Sequence, residues 1–201
     1  MTLQATLLLA AYLIGGIPFG YLLVLLKTGK DVRQSGSGNI GATNVLRTTG
    51  RTFGILTLLL DIAKGYFACW LMGRFTGGDP AWMALAGVAV VLGHAFPVFL
   101  KFHGGKAVAS FVGVALYIAP AALLGVVFVF IITVAATRFI SLGSIAGAAL
   151  FPFGAWLIYH PGWQVLLPLC LCSAFIVWRH SSNIERLRAG TENVFRFGGK
   201  K

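Results

Sequence analysis

The chain has 201 residues, of which 58% are hydrophobic and only 10% charged. A soluble domain carries about 25% charged residues, so lipid must solvate much of this surface. The formal net charge is +11, from 16 Lys+Arg against 5 Asp+Glu. These charges sit in short loops between long apolar runs. They therefore point to anionic headgroups or phosphorylated substrates and away from nucleic acid.

A helix needs roughly 20 apolar residues to cross about 30 Å of hydrocarbon. Residues 3–26 meet that length, and neither a basic n-region nor a small-residue cleavage site marks them as a signal peptide, so they read as an uncleaved span. Residues 53–72 and 82–100 follow as the second and third spans. The apolar stretch 107–136 is too long for one straight helix, and Pro120 interrupts it. It is expected to split into a short helix over 106–118 and another over 121–137. Residues 142–159 and the slightly short 163–178 complete seven. Cys69, Cys170 and Cys172 all fall inside apolar segments without a CxxC pair and read as small buried hydrophobes.

Parity supports seven. It places loops 27–52, 101–106, 138–141 and 179–201 on one side, and these hold every Lys and Arg except Lys64 and Arg74. Six spans would instead put Arg179, Arg186, Arg188, Arg196, Lys200 and Lys201 outside, against the positive-inside rule. The expected fold is thus an all-α integral membrane protein with seven transmembrane helices, the N-terminus outside and the C-terminus cytoplasmic. No internal repeat of 20–50 residues is visible, so one domain over 1–201 is expected.

Three polar segments carry the chemistry. The first runs from Ser35 to Arg47 and contains a literal GxGxxG at Gly36, Gly38 and Gly41. A dinucleotide fold needs a strand before that motif, and here a membrane-length apolar run precedes it. The physics of the motif survives: glycines let backbone N–H groups approach an anion, and a following helix N-terminus adds its dipole. Ser35, Ser37, Asn39, Thr43 and Asn44 add neutral donors, and Arg47 can grip a phosphate bidentately. The plainer alternative is a Gly/Ser turn with a solvated arginine.

The second segment is Gly93-His94-Ala95-Phe96-Pro97 leading to Phe102-His103-Gly104-Gly105-Lys106. A Walker loop would need glycine at Leu100 and Ser or Thr at Ala107, so ATP binding by that route is excluded. A Gly-Gly-Lys that opens a helix is still a phosphate or oxyanion cradle. His94 is either a structural or a substrate-facing histidine, and His103 is less informative.

The third is His180-Ser181-Ser182-Asn183-Ile184-Glu185-Arg186, continuing to Glu192. On a continuous helix His180 and Glu185 point some 140° apart, which argues against an H-x4-acid dyad. Asn183 lies one turn from His180, and that pair is the better candidate; it is also open to a plain role in tying the tail down. Asp61 and Lys64, at i,i+3 inside the second span, read as a structural ion pair, or with Lys64 reaching the substrate.

These segments resemble the bacterial acyl-phosphate:glycerol-3-phosphate acyltransferase family. The resemblance covers the whole chain through GSGNIGATNVLRTTG (36–50), DIAKG (61–65), GHAFPVFLKFHGGKAVAS (93–110) and HSSNIERLRAGTE (180–192). The family usually reads Gly-Lys-Gly-Val-Ala-Thr where this chain has Gly105 to Ser110, and Arg51 stands where Lys is common. The resemblance implies transfer of a fatty acyl group from acyl-phosphate to the 1-hydroxyl of glycerol 3-phosphate in the bacterial plasma (inner) membrane. The products would be lysophosphatidic acid and phosphate.

Ser35, Arg47, Lys106, His180 and Asn183 are the expected catalytic set. Gly36, Ser37, Gly38, Asn39, Gly41, Thr43, Asn44, Gly104, Gly105 and Glu192 are the expected phosphate-binding set, with His94, Asp61 and Lys64 behind them. No metal or cofactor is expected. The partners are acyl-phosphate, glycerol 3-phosphate, the bilayer and, transiently, the soluble enzyme that makes acyl-phosphate. A phosphate-ester transporter and a non-enzymatic subunit that recruits anionic lipid are the rival readings; a transporter would need a polar path through the spans.

Overall fold

In a bilayer every backbone N–H and C=O must be paired within its own segment, which leaves helix as the only structure open to these apolar runs. The computed structural model describes residues 2–195, and all regular structure among them is helical. Arg196, Lys200 and Lys201, three of the basic residues assigned to the cytoplasmic side, lie outside the described residues. The chain divides into two compact units, residues 1–118 and 119–201.

The first unit holds α1 (Leu3–Gly16), α2 (Phe19–Thr28), α3 (Ala42–Thr49), α4 (Arg51–Phe75), α5 (Pro80–Ala95) and α6 (Val108–Ile118). Pro18 is the reason the first span is two helices. A proline disfavours helical backbone in the residue before it, and Ile17 accordingly takes φ −64° and ψ 113°. Pro97 ends α5 in the same way, at Phe96. Small residues let these helices approach closely, as membrane interfaces favour. A Cβ on Gly15 would strike the Val90 carbonyl, and one on Gly93 the Tyr12 carbonyl, so α1 and α5 cross backbone to backbone. Gly65 against Ser110 and Gly113 against Ile62 join α4 and α6 in the same manner.

The second unit holds α7 (Pro120–Thr137), α8 (Ile140–Tyr159), α9 (Trp163–Arg179) and α10 (Ser181–Arg188). Pro120 stands in the first turn of α7, where its missing N–H is harmless, and Tyr159 Oη accepts the next N–H, from Ala121, at 2.9 Å. Of the 18 residues of α7 only Ala122, Leu123 and Val134 are buried. Leu124, Phe128 and Ile131 are exposed, an apolar surface suited to lipid.

Five spans are long and apolar enough to cross a membrane: Leu3–Thr28, Arg51–Phe75, Pro80–Leu100, Pro120–Thr137 and Ile140–Tyr159. A sixth is obtained by joining α9 and α10, which are bent by 51° at His180. The short helix expected over 106–118 forms only over Val108–Ile118. Its 11 residues rise about 16 Å, half the hydrocarbon thickness, so helix length alone does not give a seventh crossing. Cys69 and Cys172 are buried as expected, but Cys170 is exposed, because it falls on the outward face of α9.

Candidate active site

The segment between α2 and α4 is built around one buried side chain. Asn44, 3% exposed on α3, accepts the Ser37 N–H at 2.8 Å through Oδ1. Its Nδ2 donates to the carbonyls of Ser35 (3.0 Å) and Asn39 (2.8 Å). Gly36 and Gly38 make so tight a loop possible, with φ of 61° and 71°, and a Cβ on Gly36 would meet Asn44 Oδ1. Asn39 Oδ1 accepts the Gly41 N–H at 2.8 Å, just before α3 begins. Asn44 therefore shapes the cradle, since its amide hydrogens are engaged by loop carbonyls and are not offered to an anion.

What the loop presents outward is different. Ser35, Ser37, Thr43 and Arg47 are exposed, and their side chains have no partner among the described residues. Thr43 and Arg47 lie four apart on α3 and share a face. Arg33 does not compete for that role. Its Nε lies 3.0 Å from each Asp31 oxygen and its Nη2 2.6 Å from Oδ2. That bonding holds the Asp31 carboxyl below its ordinary range.

The second segment folds back onto the end of α5. The Gly104 N–H donates to the Ala95 carbonyl and the Gly105 N–H to the His94 carbonyl, each at 3.1 Å. A Cβ on Gly104 would strike the His94 carbonyl, and one on Gly105 would strike Nε2 of the His94 ring. Lys106 follows, half-buried. The expectation that Gly-Gly-Lys opens a helix is corrected. Ala107 takes φ 62°, a left-handed conformation that cannot begin a right-handed turn, and α6 starts at Val108. That φ is also a reason for glycine at this position in the family pattern.

His94 is buried, with Nδ1 3.1 Å from Ser110 Oγ and 3.7 Å from Asp61 Oδ1. Asp61 Oδ1 lies 2.8 Å from Lys64 Nζ, and both side chains are 3% exposed. The contact is an ion pair by distance, but Oδ1 is out of line for a hydrogen bond. Lys64 Nζ also donates to the Ile17 carbonyl at 2.9 Å, at the break between α1 and α2. These contacts support the structural reading of the pair.

In the second unit His180 is the joint between α9 and α10, so it and Asn183 do not share one straight helix. The His180 carbonyl accepts the N–H groups of Asn183 and Ile184, each at 2.9 Å. Its buried ring bonds from Nδ1 to the Ile176 carbonyl at 2.7 Å. A carbonyl only accepts, so Nδ1 carries a hydrogen and Nε2 is the acceptor of the neutral ring. Glu185 is exposed on α10, away from the buried His180, and the two form no dyad.

Glu192 joins the elements of this unit. Its Oε1 accepts from Asn183 Nδ2 (2.8 Å) and Ser141 Oγ (3.0 Å), and its Oε2 from Arg186 Nε (2.8 Å). Burial pushes the carboxyl up, but the hydrogen bonds from Asn183, Ser141 and Arg186 together outweigh it, and the net direction is down. A carboxylate so engaged repels a phosphate and cannot donate to one, so the expected phosphate contact at Glu192 gives way to a structural hub. Ser141 and Arg186 escaped the sequence reading. Arg186 stands six residues before Glu192, a spacing that signals nothing until the chain turns at Gly190, which has φ 69°.

Three comparisons bear on what this arrangement serves. A family model described as glycerol-3-phosphate acyltransferase matches residues 5–190. Proteins of that name from Geotalea daltonii and Trichlorobacter lovleyi are 44% and 49% identical, over 98% and 92% of this chain and 100% and 94% of theirs. The glycerol 3-phosphate form of PlsY (YgiH), described as an integral membrane glycerol 3-phosphate acyltransferase, matches with a TM-score of 0.91 and 37% identity over 96% of each chain. Its lysophosphatidic acid form matches with a TM-score of 0.87 and 35% identity over 96% of this chain and 95% of that one. The comparisons favour acyl transfer over the transport alternative. The chain is an integral membrane enzyme and belongs to the glycerol-3-phosphate acyltransferase family.

Proposed function

We propose that the enzyme moves a fatty acyl group from acyl-phosphate to the 1-hydroxyl of sn-glycerol 3-phosphate, releasing lysophosphatidic acid and inorganic phosphate. The observation that carries this reading is the cradle of Ser35 to Arg47. Its backbone is fixed from within by Asn44, while two serines, a threonine and an arginine face outward unpaired. Both substrates bring a phosphate, and such a surface suits an anion. Gly104, Gly105 and Lys106 supply a second cation beside close-packed backbone.

In the reaction the hydroxyl oxygen attacks the acyl carbonyl, and the bond from that carbon to the bridging oxygen breaks. Phosphate leaves with the electron pair. Charge builds on the carbonyl oxygen and the departing phosphate, where a preorganised donor contributes about 3–4 kcal/mol. Holding nucleophile and anhydride in register contributes ~7–11 kcal/mol. The hydroxyl proton passes to an oxygen of the donor's own phosphate, a route suited to loops so poor in free carboxylates. Ser35, Arg47, Lys106, His180 and Asn183 position the groups. Nε2 of His180 is the alternative base.

The topology we infer has seven crossings, with α6 as a short one, the N-terminus outside and the C-terminus cytoplasmic. It gathers the basic loops at the cytoplasmic face of the bacterial plasma membrane. Residues 1–201 then serve as one acyltransferase domain, open to transient contact with the soluble enzyme that makes acyl-phosphate. The test is phosphate release from purified protein given acyl-phosphate. Release that depends on glycerol 3-phosphate and matches lysophosphatidic acid formed is expected. Release without acceptor, or acyl transfer only from a thioester donor, contradicts the reading.

A further inference from the structure

The first unit contains a buried polar cluster that the proposed chemistry does not use. It lies where the supports of both of that unit's polar segments come together. Lys64 Nζ holds the Ile17 carbonyl at 2.9 Å and Asp61 Oδ1 at 2.8 Å, from inside α4. The break at Pro18 takes the Ile17 carbonyl out of the regular helical ladder. Besides the ammonium it accepts only a tight-turn bond from the Phe19 N–H among the described residues, at 3.1 Å, and the second bond from Lys64 ties this turn to α4. The ammonium also lies 5.7 Å from the centroid of Phe19, the first residue of α2. One turn of α2 is thus anchored to α4 at its very start. The next residue, Gly20, is packed so tightly on the Ile40 carbonyl that no Cβ fits between them. Ile40 ends the glycine-rich loop just before α3, so the anchor at Lys64 sets the height of that loop.

The other end of the cluster reaches the second segment. Asp61 Oδ1 is 3.7 Å from His94 Nδ1, which hydrogen-bonds Ser110 Oγ at 3.1 Å. Ser110, the third residue of α6, is fully buried, with its carbonyl against Gly65 of α4. The His94 ring, fixed by these contacts, is the surface on which Gly105 rests, and its carbonyl receives the Gly105 N–H at 3.1 Å. Lys106 is the next residue. A shift of the ring therefore moves the backbone that carries the Lys106 ammonium.

We propose that Asp61, Lys64, His94 and Ser110 are positioning residues that hold the Ser35–Gly41 loop and the Gly104–Lys106 loop in register for two phosphate-bearing substrates. The inference rests on the function proposed above. Neutral charge overall lets the pair stay buried, and its contacts on both sides give it a use beyond joining two turns of α4. Removing one partner would leave a lone ion in a dry site, which confuses folding with function. The informative variants are therefore Ser110→Ala, which deletes one hydroxyl, and the paired Asp61→Asn with Lys64→Met, which removes both charges together.

Steady-state kinetics with acyl-phosphate and glycerol 3-phosphate as varied substrates, alongside Tm in the same detergent, tests the idea. For Ser110→Ala we expect near wild-type Tm and kcat/KM lower by about 10- to 100-fold, with KM raised for at least one phosphate substrate. Ser110→Thr keeps the hydroxyl and should restore wild-type values. The paired variant should lose at least as much as Ser110→Ala. Lowered Tm with unchanged KM and kcat in the folded protein would overturn the proposal, because a role limited to helix packing gives that pattern. If the paired variant does not fold, Ser110→Ala and its threonine rescue decide alone. A wild type without acceptor-dependent turnover defeats the proposed function and this device with it, whereas wild-type turnover with unmoved Ser110→Ala kinetics defeats only the device.

Discussion

The polar segments at Ser35–Arg47 and His180–Glu192 draw on similar residues and use them in opposite ways. In the first, a single buried amide, Asn44, satisfies the backbone, and the hydroxyls and guanidinium stay exposed. In the second, Asn183, Ser141 and Arg186 converge on Glu192, and His180 is buried against the Ile176 carbonyl. One segment is a rigid loop that offers donors. The other is a closed network centred on one carboxylate, beside an imidazole tied to its own helix. Charge and donor count alone do not separate a binding surface from a frame; the destination of each hydrogen bond does.

Substitutions in the two regions should therefore separate activity from stability. Arg47→Ala is expected to give the largest loss, about 10²–10³-fold in kcat/KM, with Tm nearly unchanged because the guanidinium is exposed and unpaired. Arg47→Lys should recover only part, since an ammonium cannot grip a phosphate bidentately. Asn44→Ala breaks the comparison from the other side. It strips the partners from the Ser37 N–H and the Ser35 and Asn39 carbonyls, so both stability (by about 2–3 kcal/mol) and turnover should fall. Denaturation in detergent beside the phosphate-release assay reads both.

Glu192→Ala should cost about 1–3 kcal/mol, chiefly through the lost hydrogen bonds from Asn183 and Ser141. Arg186 adds less, because its side chain is 35% exposed and water screens it. The same carboxylate gives a pH signature. Its pKa lies below the ordinary 4.5 in the folded protein, so its stabilisation is complete above that value and is lost as pH falls through the lower, folded value. Thermal melts of wild type and Glu192→Gln should converge on acidification and diverge above 4.5. The smallest effect belongs to Ala107→Gly. Relief of the positive φ, ~1–2 kcal/mol, is offset by a buried methyl and a freer unfolded chain, leaving Tm changed by the equivalent of about 1 kcal/mol or less.

Apolar run length placed the long helices to within a few residues, because a membrane leaves the backbone no alternative. Prolines told where the chain would split at Pro120. They did not tell that Pro18 would break the first span, because the apolar run continues through it. The tight turn of the loop was legible from Gly36 and Gly38, yet the task of Asn44 was not, since an asparagine in sequence looks the same whether it faces a ligand or its own loop. Lys106 was misplaced onto a helix because nothing at Ala107 announces a left-handed backbone. The Glu192 network was hidden for a topological reason: its members come from α8, α10 and the chain beyond Gly190, and only folding joins them.

The inferred topology puts both polar segments at one face of the membrane, and sidedness is the most direct way to examine that. Exposed Ser37 and Ser182 can each be changed to cysteine in a chain lacking Cys69, Cys170 and Cys172, then probed with an impermeant thiol reagent in sealed inside-out and right-side-out vesicles. The account predicts that both sites react in inside-out vesicles and neither in right-side-out ones. Labelling of the two sites from opposite sides would contradict it.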